Sequence, residues 1–198
     1  MRIGLISDTH IPTMGAAPPA QVALAFEGVE LILHAGNIYR PDVLDWLESI
    51  APVKAAGSSD GERPEHPQGF SMECQGDPRV EPQQVMEVED HTIGVVNNLL
   101  LRGMNDDVGP GVIGAHLRRR PDLSFPGMVE RFFGAVVDIV VFGRTNFAMV
   151  EEHQGVLFIN PGSPSLPRNL RKLGSVAVLD LWPEGAEARI VDLALLGD

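Results

Sequence analysis

The sequence contains almost no cysteine. Cys74 is the single cysteine among 198 residues, so an internal disulfide is excluded and a reducing compartment is compatible with the composition. No recognisable base accompanies this thiol in the sequence, and such a thiol is more often inert than catalytic. The cysteine count therefore gives no support to a disulfide-stabilised fold or to a cysteine nucleophile.

Basic residues are scarce as well. The 15 Lys and Arg residues face 27 Asp and Glu residues, which gives a net charge of -12. This charge repels nucleic-acid backbones and anionic lipids at long range, so we expect neither nucleic acid nor a membrane as a partner. Two basic clusters depart from this acidic composition. They are Arg118-Arg119-Arg120 and the loop residues Arg168, Arg171 and Lys172, and for both we favour a solvated surface over a binding site.

Long hydrophobic runs are missing. No stretch of about 18 apolar residues occurs, so we expect no segment to span a membrane. The start of the chain, Met1-Arg2-Ile3-Gly4, is strand-like and lacks the charged and hydrophobic regions of a signal peptide. We therefore expect a cytoplasmic protein.

The sequence does contain an alternation of strand and helix patterns, which is typical of an α/β domain. With 198 residues, 44% of them hydrophobic, the chain can bury one core, and we predict a single domain over residues 1–198. The predicted strands cover residues 3–7, 31–35, 53–56, 85–88, 92–96, 136–142, 176–181 and 188–193, with one more that starts at 150 or 156 and ends at 159. The predicted helices cover residues 19–26, 41–49, 112–119 and 127–133.

One segment interrupts this alternation. Residues 61–84 are rich in Pro, Gly, Glu and Gln, a composition that favours a surface loop or flap.

Several predicted strands end in short polar turns. Asp8-Thr9-His10 follows the first strand, and similar turns follow later ones at Gly36-Asn37, Gly57-Ser58-Ser59-Asp60, Asn97-Asn98 and Gly143-Arg144-Thr145-Asn146. Binding and catalytic sites of α/β sheets are assembled at the carboxyl ends of the strands. Each of these turns alone is also typical of a simple connection between elements. An aspartate and a histidine two residues apart can both face one cation.

Three segments together resemble the calcineurin-like metallophosphoesterases, specifically their small bacterial and archaeal phosphodiesterase branch, to which the metallophosphoesterase-like subunit of retromer is related. They are Ile6-Ser7-Asp8-Thr9-His10-Ile11-Pro12, Leu33-His34-Ala35-Gly36-Asn37 and Ile159-Asn160-Pro161-Gly162-Ser163-Pro164-Ser165. The resemblance implies a four-layer α/β/β/α sandwich of two facing mixed sheets flanked by helices. It also implies a site for two adjacent metal ions, which bind a phosphoryl oxygen and activate a bridging water.

Carried over position by position, the resemblance implies a degenerate site. Only Asp8 and His10 match the family's ligands unchanged, because Asn37 stands in place of a bridging aspartate, Ser58 in place of an asparagine, and Asn97 in place of a histidine. Arg144 and Asn146 stand where the family has two histidines. Asp60 is retained as a residual site carboxylate, while the catalytic residues stay unknown.

Arg144 is the most consequential replacement. A guanidinium has five donors and no acceptor and stays protonated at physiological pH, so it places a fixed positive charge where the second metal would lie. Ser58, Asn97 and Arg144 are thus the former second-metal positions, and Arg144 is a candidate anion-binding residue. One weak cation could still be held by Asp8, His10, Asn37 and Asn146.

These observations leave three hypotheses. The favoured one is a metallophosphoesterase fold that has lost two-metal catalysis and has no metal cofactor, serving in phosphate or other anion binding or as a scaffold for a protein partner. The second is a metal-dependent phosphodiesterase or phosphatase that uses one Mn²⁺, Mg²⁺ or Zn²⁺ ion. The third is an unrelated small α/β binding protein. The ligand, the partner and the oligomeric state stay open.

Overall fold

The structure is a computed structural model, and it describes residues 1–58, 74, 76–104, 106–165 and 173–197. In this part of the chain two mixed sheets face each other. The strands, in chain order, are β1 (Arg2–Ile6), β2 (Leu31–His34), β3 (Val53–Ala56), β4 (Val80–Glu81), β5 (Gln83–Val88), β6 (His91–Val96), β7 (Ile139–Phe142), β8 (Met149–His153), β9 (Val156–Asn160), β10 (Ser175–Trp182) and β11 (Gly185–Asp192). The α-helices are α1 (Gln21–Ala25), α2 (Pro41–Glu48), α3 (Val112–Arg119) and α4 (Phe125–Phe133), and a short 3₁₀ helix covers Leu193–Leu195.

The first sheet has the strand order β11-β10-β1-β2-β3-β4, and the second has the order β5-β6-β7-β9-β8. Strands β1 to β4 are parallel to one another, as are β6, β7 and β9, whereas β10, β11, β5 and β8 pair with their neighbours in antiparallel fashion. Both sheets therefore bring several strand carboxyl ends to one edge.

Alternating side chains of the central strands explain the layers. On β1, Ile3 and Leu5 pack between the sheets against residues of the second sheet such as Val95, while Ile6 packs on the opposite side, against α1 and α2. A third apolar cluster joins the outer side of the second sheet to α3 and α4. Three apolar layers between four layers of structure confirm the predicted α/β/β/α sandwich.

Most predicted elements are present with small shifts of their ends. The strand expected from residue 136 starts at Ile139, because Val136 is two-thirds exposed and precedes the buried run. The uncertain strand near 150–159 is two strands, β8 and β9, joined by a turn at Gln154, whose φ is 53°, and Gly155, whose φ is 80°.

The segment 61–84 was expected to be a loop throughout, and that prediction is wrong at its carboxyl end. Val80–Glu81 forms β4, which extends the first sheet beside β3, and β5 begins at Gln83. Gln84 is buried, and its amide donates to the Ala55 carbonyl at 2.9 Å, which ties this part to the sheet. Residues 61–73 and 75 lie outside the described residues.

None of the described helices is long and apolar enough to cross a bilayer, which needs about 20 residues.

Candidate metal and anion site

The polar turns predicted from the sequence meet at one edge of the two sheets. Residues 8 and 10 follow β1, residue 37 follows β2, and residue 58 follows β3, while residue 97 follows β6, and residues 144 and 146 follow β7. We call these positions the cup: Asp8, His10, Asn37, Ser58, Asn97, Arg144 and Asn146.

Hydrogen bonds join the turns within each sheet and between the two sheets. Asp8 N–H donates to the Gly36 carbonyl at 2.8 Å, and Gly143 N–H donates to the Asn97 carbonyl at 3.0 Å. The Asn97 amide donates across the interface to the Ala35 carbonyl at 2.8 Å. These bonds fix the turns of both sheets as one unit.

Asp8 is the centre of the cup. Its side chain is fully buried, and its carboxylate accepts hydrogen bonds from the Ser7 hydroxyl at 2.8 Å and from the Asn37 amide. The backbone N–H of Arg144 donates to both carboxylate oxygens, at 3.2 and 3.0 Å. Donors from three turns thus hold the carboxylate in one orientation.

His10 is oriented by a residue that sequence reasoning missed. Its Nδ1 lies 2.9 Å from the Tyr39 hydroxyl, and the two ring centroids are 5.4 Å apart. Its Nε2 lies 3.9 Å from Asp8 Oδ1. A partner on one ring nitrogen is the usual device for aiming the other at a ligand position, and the only sequence signal for Tyr39 was its place two residues after Asn37.

The backbone of the cup is strained. Positive φ angles occur at Asp8 (54°), His10 (51°), Asn37 (57°), Arg144 (69°) and Asn146 (58°). Asp, Asn and His tolerate this left-handed region better than most residues, and Arg has no such advantage. Residues held in this way are concentrated at functional sites.

Close backbone approach also shapes the cup. A Cβ on Gly143 would lie 2.9 Å from both Asp8 Oδ2 and Ser7 Cβ, so only glycine allows the β7 turn to reach Asp8. The Asn97 side chain likewise lies 2.5 Å from the position that a Cβ on Gly36 would occupy.

Two amide oxygens of the cup have no hydrogen-bond donor within the described part of the chain. Asn97 Oδ1 and Asn146 Oδ1 are both buried from solvent and unpartnered there. A buried acceptor without a donor is costly, and a carbonyl oxygen is a ligand for hard cations. Asn146 Oδ1 is thus available to an ion or to a donor group on a ligand.

A histidine beneath the cup supports it without being one of its predicted ligands. The fully buried His34 accepts a hydrogen bond from Gly36 N–H at Nδ1 (3.1 Å), so its Nε2 carries the proton and faces the Thr9 hydroxyl at 3.3 Å. Burial, and secondarily the charge of His10, lower the pKa of His34 to about 3. His34 is therefore a neutral structural residue at physiological pH.

The signature turn after β9 supports the cup from below. Ser163 Oγ donates to the Asp8 carbonyl at 2.7 Å, and Ser7 Oγ shares its single proton between Asp8 Oδ2 and the Gly162 carbonyl, which lies 2.7 Å away. The Asn160 amide donates to the Gly143 carbonyl and the Thr145 hydroxyl, both at 3.1 Å, while its oxygen accepts from Gly162 N–H at 2.9 Å. The turn therefore links the β1 and β7 turns.

The acidic content of the cup is low. In the described residues no group of three or more His, Cys, Asp or Glu side chains is placed to hold a metal ion. Asp60 and the basic loop residues Arg168, Arg171 and Lys172 lie outside the described residues.

Comparison with known proteins gives consistent results. The model of the calcineurin-like phosphoesterase superfamily domain matches residues 1–182. A protein of Methanothermobacter thermautotrophicus described as a probable metallophosphoesterase is 33% identical over 191 residues, which cover 96% of this chain and 92% of that protein.

Solved structures share the fold. A single mutant of Vps29 from Entamoeba histolytica has a TM-score of 0.63 at 20% identity, and the match covers 97% of this chain and 99% of that one. Wild-type Vps29 from the same organism was solved in complex with Zn²⁺. An archaeal phosphodiesterase has a TM-score of 0.57 at 20% identity, covering 96% of this chain and 100% of its own.

Proposed function

The chain belongs to the calcineurin-like phosphoesterase superfamily, and we propose that its cup binds a phosphate-containing ligand through Arg144 and no longer assembles a two-metal hydrolytic centre. The observation that carries this proposal is the backbone hydrogen bond from Arg144 to Asp8. It anchors a permanently charged residue next to the central carboxylate of the cup.

The charges of the cup support this proposal. A two-metal site has four positive charges, offset by carboxylate ligands, with which to bind a phosphoryl group. Among the seven cup residues, Asp8 has one negative formal charge and Arg144 has one positive formal charge. Arg144 would then supply, as a single fixed charge, part of the attraction that the metals supply in the family.

The ligand chemistry argues against a second ion. Ser58 offers only a neutral hydroxyl and Arg144 offers no acceptor, while Asn97 spends its N–H₂ group on the Ala35 carbonyl and offers only a neutral amide oxygen. Asn37 presents its N–H₂ group to Asp8, and a neutral amide is a weaker bridge between ions than a carboxylate.

A single ion is the second candidate, and the buried, donorless Asn146 Oδ1 favours it. With Asp8, His10 and Asn37, this oxygen fits one hard divalent cation such as Mn²⁺ or Mg²⁺, and Zn²⁺ less well. Such an ion would supply Lewis-acid activation of a phosphoryl group. In that case the protein would be a one-metal phosphodiesterase or phosphatase.

The test is binding of inorganic phosphate, measured by calorimetry on the full chain without added metal. We expect Arg144→Ala to weaken binding at least about tenfold and Arg144→Lys to weaken it less, because lysine keeps the charge but loses the planar donors. Arg119→Ala, at an exposed arginine of α3, is the matched control and should bind as the wild type does. Equal affinity of wild type and Arg144→Ala would refute the anion role.

A measurement of phosphodiester hydrolysis tests the second candidate, the one-metal enzyme. A Mn²⁺-dependent hydrolysis of bis(p-nitrophenyl) phosphate that disappears in Asp8→Ala would establish the one-metal enzyme. Activity that persists in Asp8→Ala would come from a contaminant.

A further inference from the structure

A pocket lies at the same edge of the first sheet as the cup. It has a volume of about 290 Å³, at the small end of ligand pockets and sized for a ring rather than an extended molecule. Its lining residues are Asn146, Phe147, Ala148, Leu173, Gly174, Ser175, Ile190 and Asp192.

Strand register places this pocket beside the cup. Strand β10 runs antiparallel to β1 with Leu5 opposite Ala177, so Ser175 comes opposite residue 7, next to Asp8. Asp192 pairs with Ser175 in turn. The pocket thus follows the cup along the sheet, and Asn146 belongs to both.

Gly162 lies between the residues beneath the cup and the lining of the pocket. On one side its carbonyl accepts the Ser7 hydroxyl. On the other, a Cβ at this position would clash with Ser175 Oγ and lie 3.3 Å from Ala148 Cβ, two residues of the pocket lining. Gly162 therefore adjoins both the β1 turn of the cup and the lining of the pocket.

The pocket combines an apolar side with one acidic group. Phe147, at its rim, is 66% exposed, and Ile190 is 36% exposed, an arrangement that leaves a ring and a branched side chain open to a ligand. Asp192 is half-buried and uses Oδ1 to accept from Ala194 N–H at 3.0 Å. Its negative charge disfavours a second phosphate here and favours a group with N–H donors.

From these placements we propose that the pocket holds the aromatic ring of a phosphate ester whose phosphoryl group lies in the cup, and that Asp192 selects rings with an amino donor. This inference rests on the proposed phosphate binding and names its ligand class as aryl or heteroaryl phosphates. Phe147 stacks on the ring, and Asn146 lies at the junction of ring and phosphate.

The experiment compares inorganic phosphate, phenyl phosphate and 4-aminophenyl phosphate by calorimetry without added metal. Wild type should bind phenyl phosphate roughly tenfold more tightly than inorganic phosphate, and the amino compound more tightly still. Phe147→Ala should lose the advantage of the ring and keep its affinity for inorganic phosphate. Val136→Ala, at a remote position with 67% exposure, is the matched control and should behave as wild type.

Asp192→Asn tests the selection of the amino group. Asparagine caps a helix as well as aspartate does, so the fold is retained while the charge is lost. The preference for 4-aminophenyl over phenyl phosphate should disappear.

The outcomes separate the two proposals. Equal affinity of the wild type for phenyl phosphate and inorganic phosphate would overturn the pocket and leave the cup intact. Phenyl phosphate binding that depends on Phe147 but not on Arg144 would support the pocket and overturn the cup. Absence of binding for all three compounds would overturn both.

Discussion

At the scale of single residues, Arg144 combines a proposed functional role with a structural cost. Its φ of 69° lies in the left-handed region, which costs a residue with a Cβ roughly 1–2 kcal/mol. The backbone bond to Asp8 accounts for this conformation, because it requires the N–H of residue 144 to point at the carboxylate.

This cost leads to a prediction about Arg144→Gly. Glycine relieves the left-handed strain and keeps the backbone donor, although its unfolded state is more flexible. We expect the free energy of unfolding in urea to stay equal or rise by up to about 1 kcal/mol, while phosphate affinity is lost. Arg144→Ala keeps the strain and serves as the control. A large destabilisation by glycine alone would mean that the side chain is chiefly structural.

His34 predicts a pH dependence of stability. Its folded pKa of about 3 lies below the ordinary 6.5, so between these values the unfolded chain binds a proton that the folded protein excludes. The stability that this residue contributes is full above pH 6.5 and falls as the pH falls toward 3. Urea unfolding should show a loss of about 2 kcal/mol from about pH 7 to about pH 5.

His34→Gln is the matched variant for this measurement. Glutamine offers an acceptor and a donor but does not titrate, so its loss of stability over the same interval should be smaller by about that amount. Parallel pH profiles for the two proteins would show that His34 is protonated in the folded state.

At the scale of elements, the sequence predicts the sheets better than the site. Apolar runs such as Leu31–His34 and Ile139–Phe142 predict buried strands because nearly every residue in them is apolar and β-compatible. Val80–Glu81 was missed since two residues form no periodic pattern, and only pairing with β3 makes them a strand. Tyr39 was missed for a related reason, because its contact with His10 depends on tertiary structure.

Turn chemistry explains why the positions of the cup were predictable. Short polar turns after apolar strands place residues at a common edge, and Asp8, Asn37 and Arg144 do meet there. The left-handed backbone could not be read from the sequence, since Arg144 is an unfavourable residue for it. The pocket at Phe147 depends on strands β8, β10 and β11 coming together, which no local pattern reveals.

The signature turn after β9 carries the next prediction. Asn160 is fully buried and uses both parts of its amide to join the turns of the cup. Asn160→Asp would replace the N–H₂ donors by a carboxylate facing the Gly143 carbonyl, and we expect a loss of at least about 2 kcal/mol. Urea unfolding measures this. Asn98→Asp, at a half-buried neighbouring turn, should change stability by less than about 1 kcal/mol, and an equally small effect at Asn160 would contradict the supporting role.

At the scale of the whole molecule, the fold is separable from the chemistry that the family performs on it. Three apolar layers hold the two sheets together, and none of the seven cup residues belongs to them. Ligand positions can therefore change without loss of the fold. The net charge of -12 makes a local cation such as Arg144 more important for attracting a phosphate.

The most direct test of the proposed loss of the two-metal centre is the number of Mn²⁺ ions bound per chain, measured by elemental analysis after incubation with Mn²⁺ and removal of free metal. We predict no more than one ion in the wild-type protein. A variant with all five family ligands restored (Asn37→Asp, Ser58→Asn, Asn97→His, Arg144→His and Asn146→His) should bind two and shows that the assay detects a complete site. Two ions bound by the wild-type chain would contradict the loss of the two-metal centre.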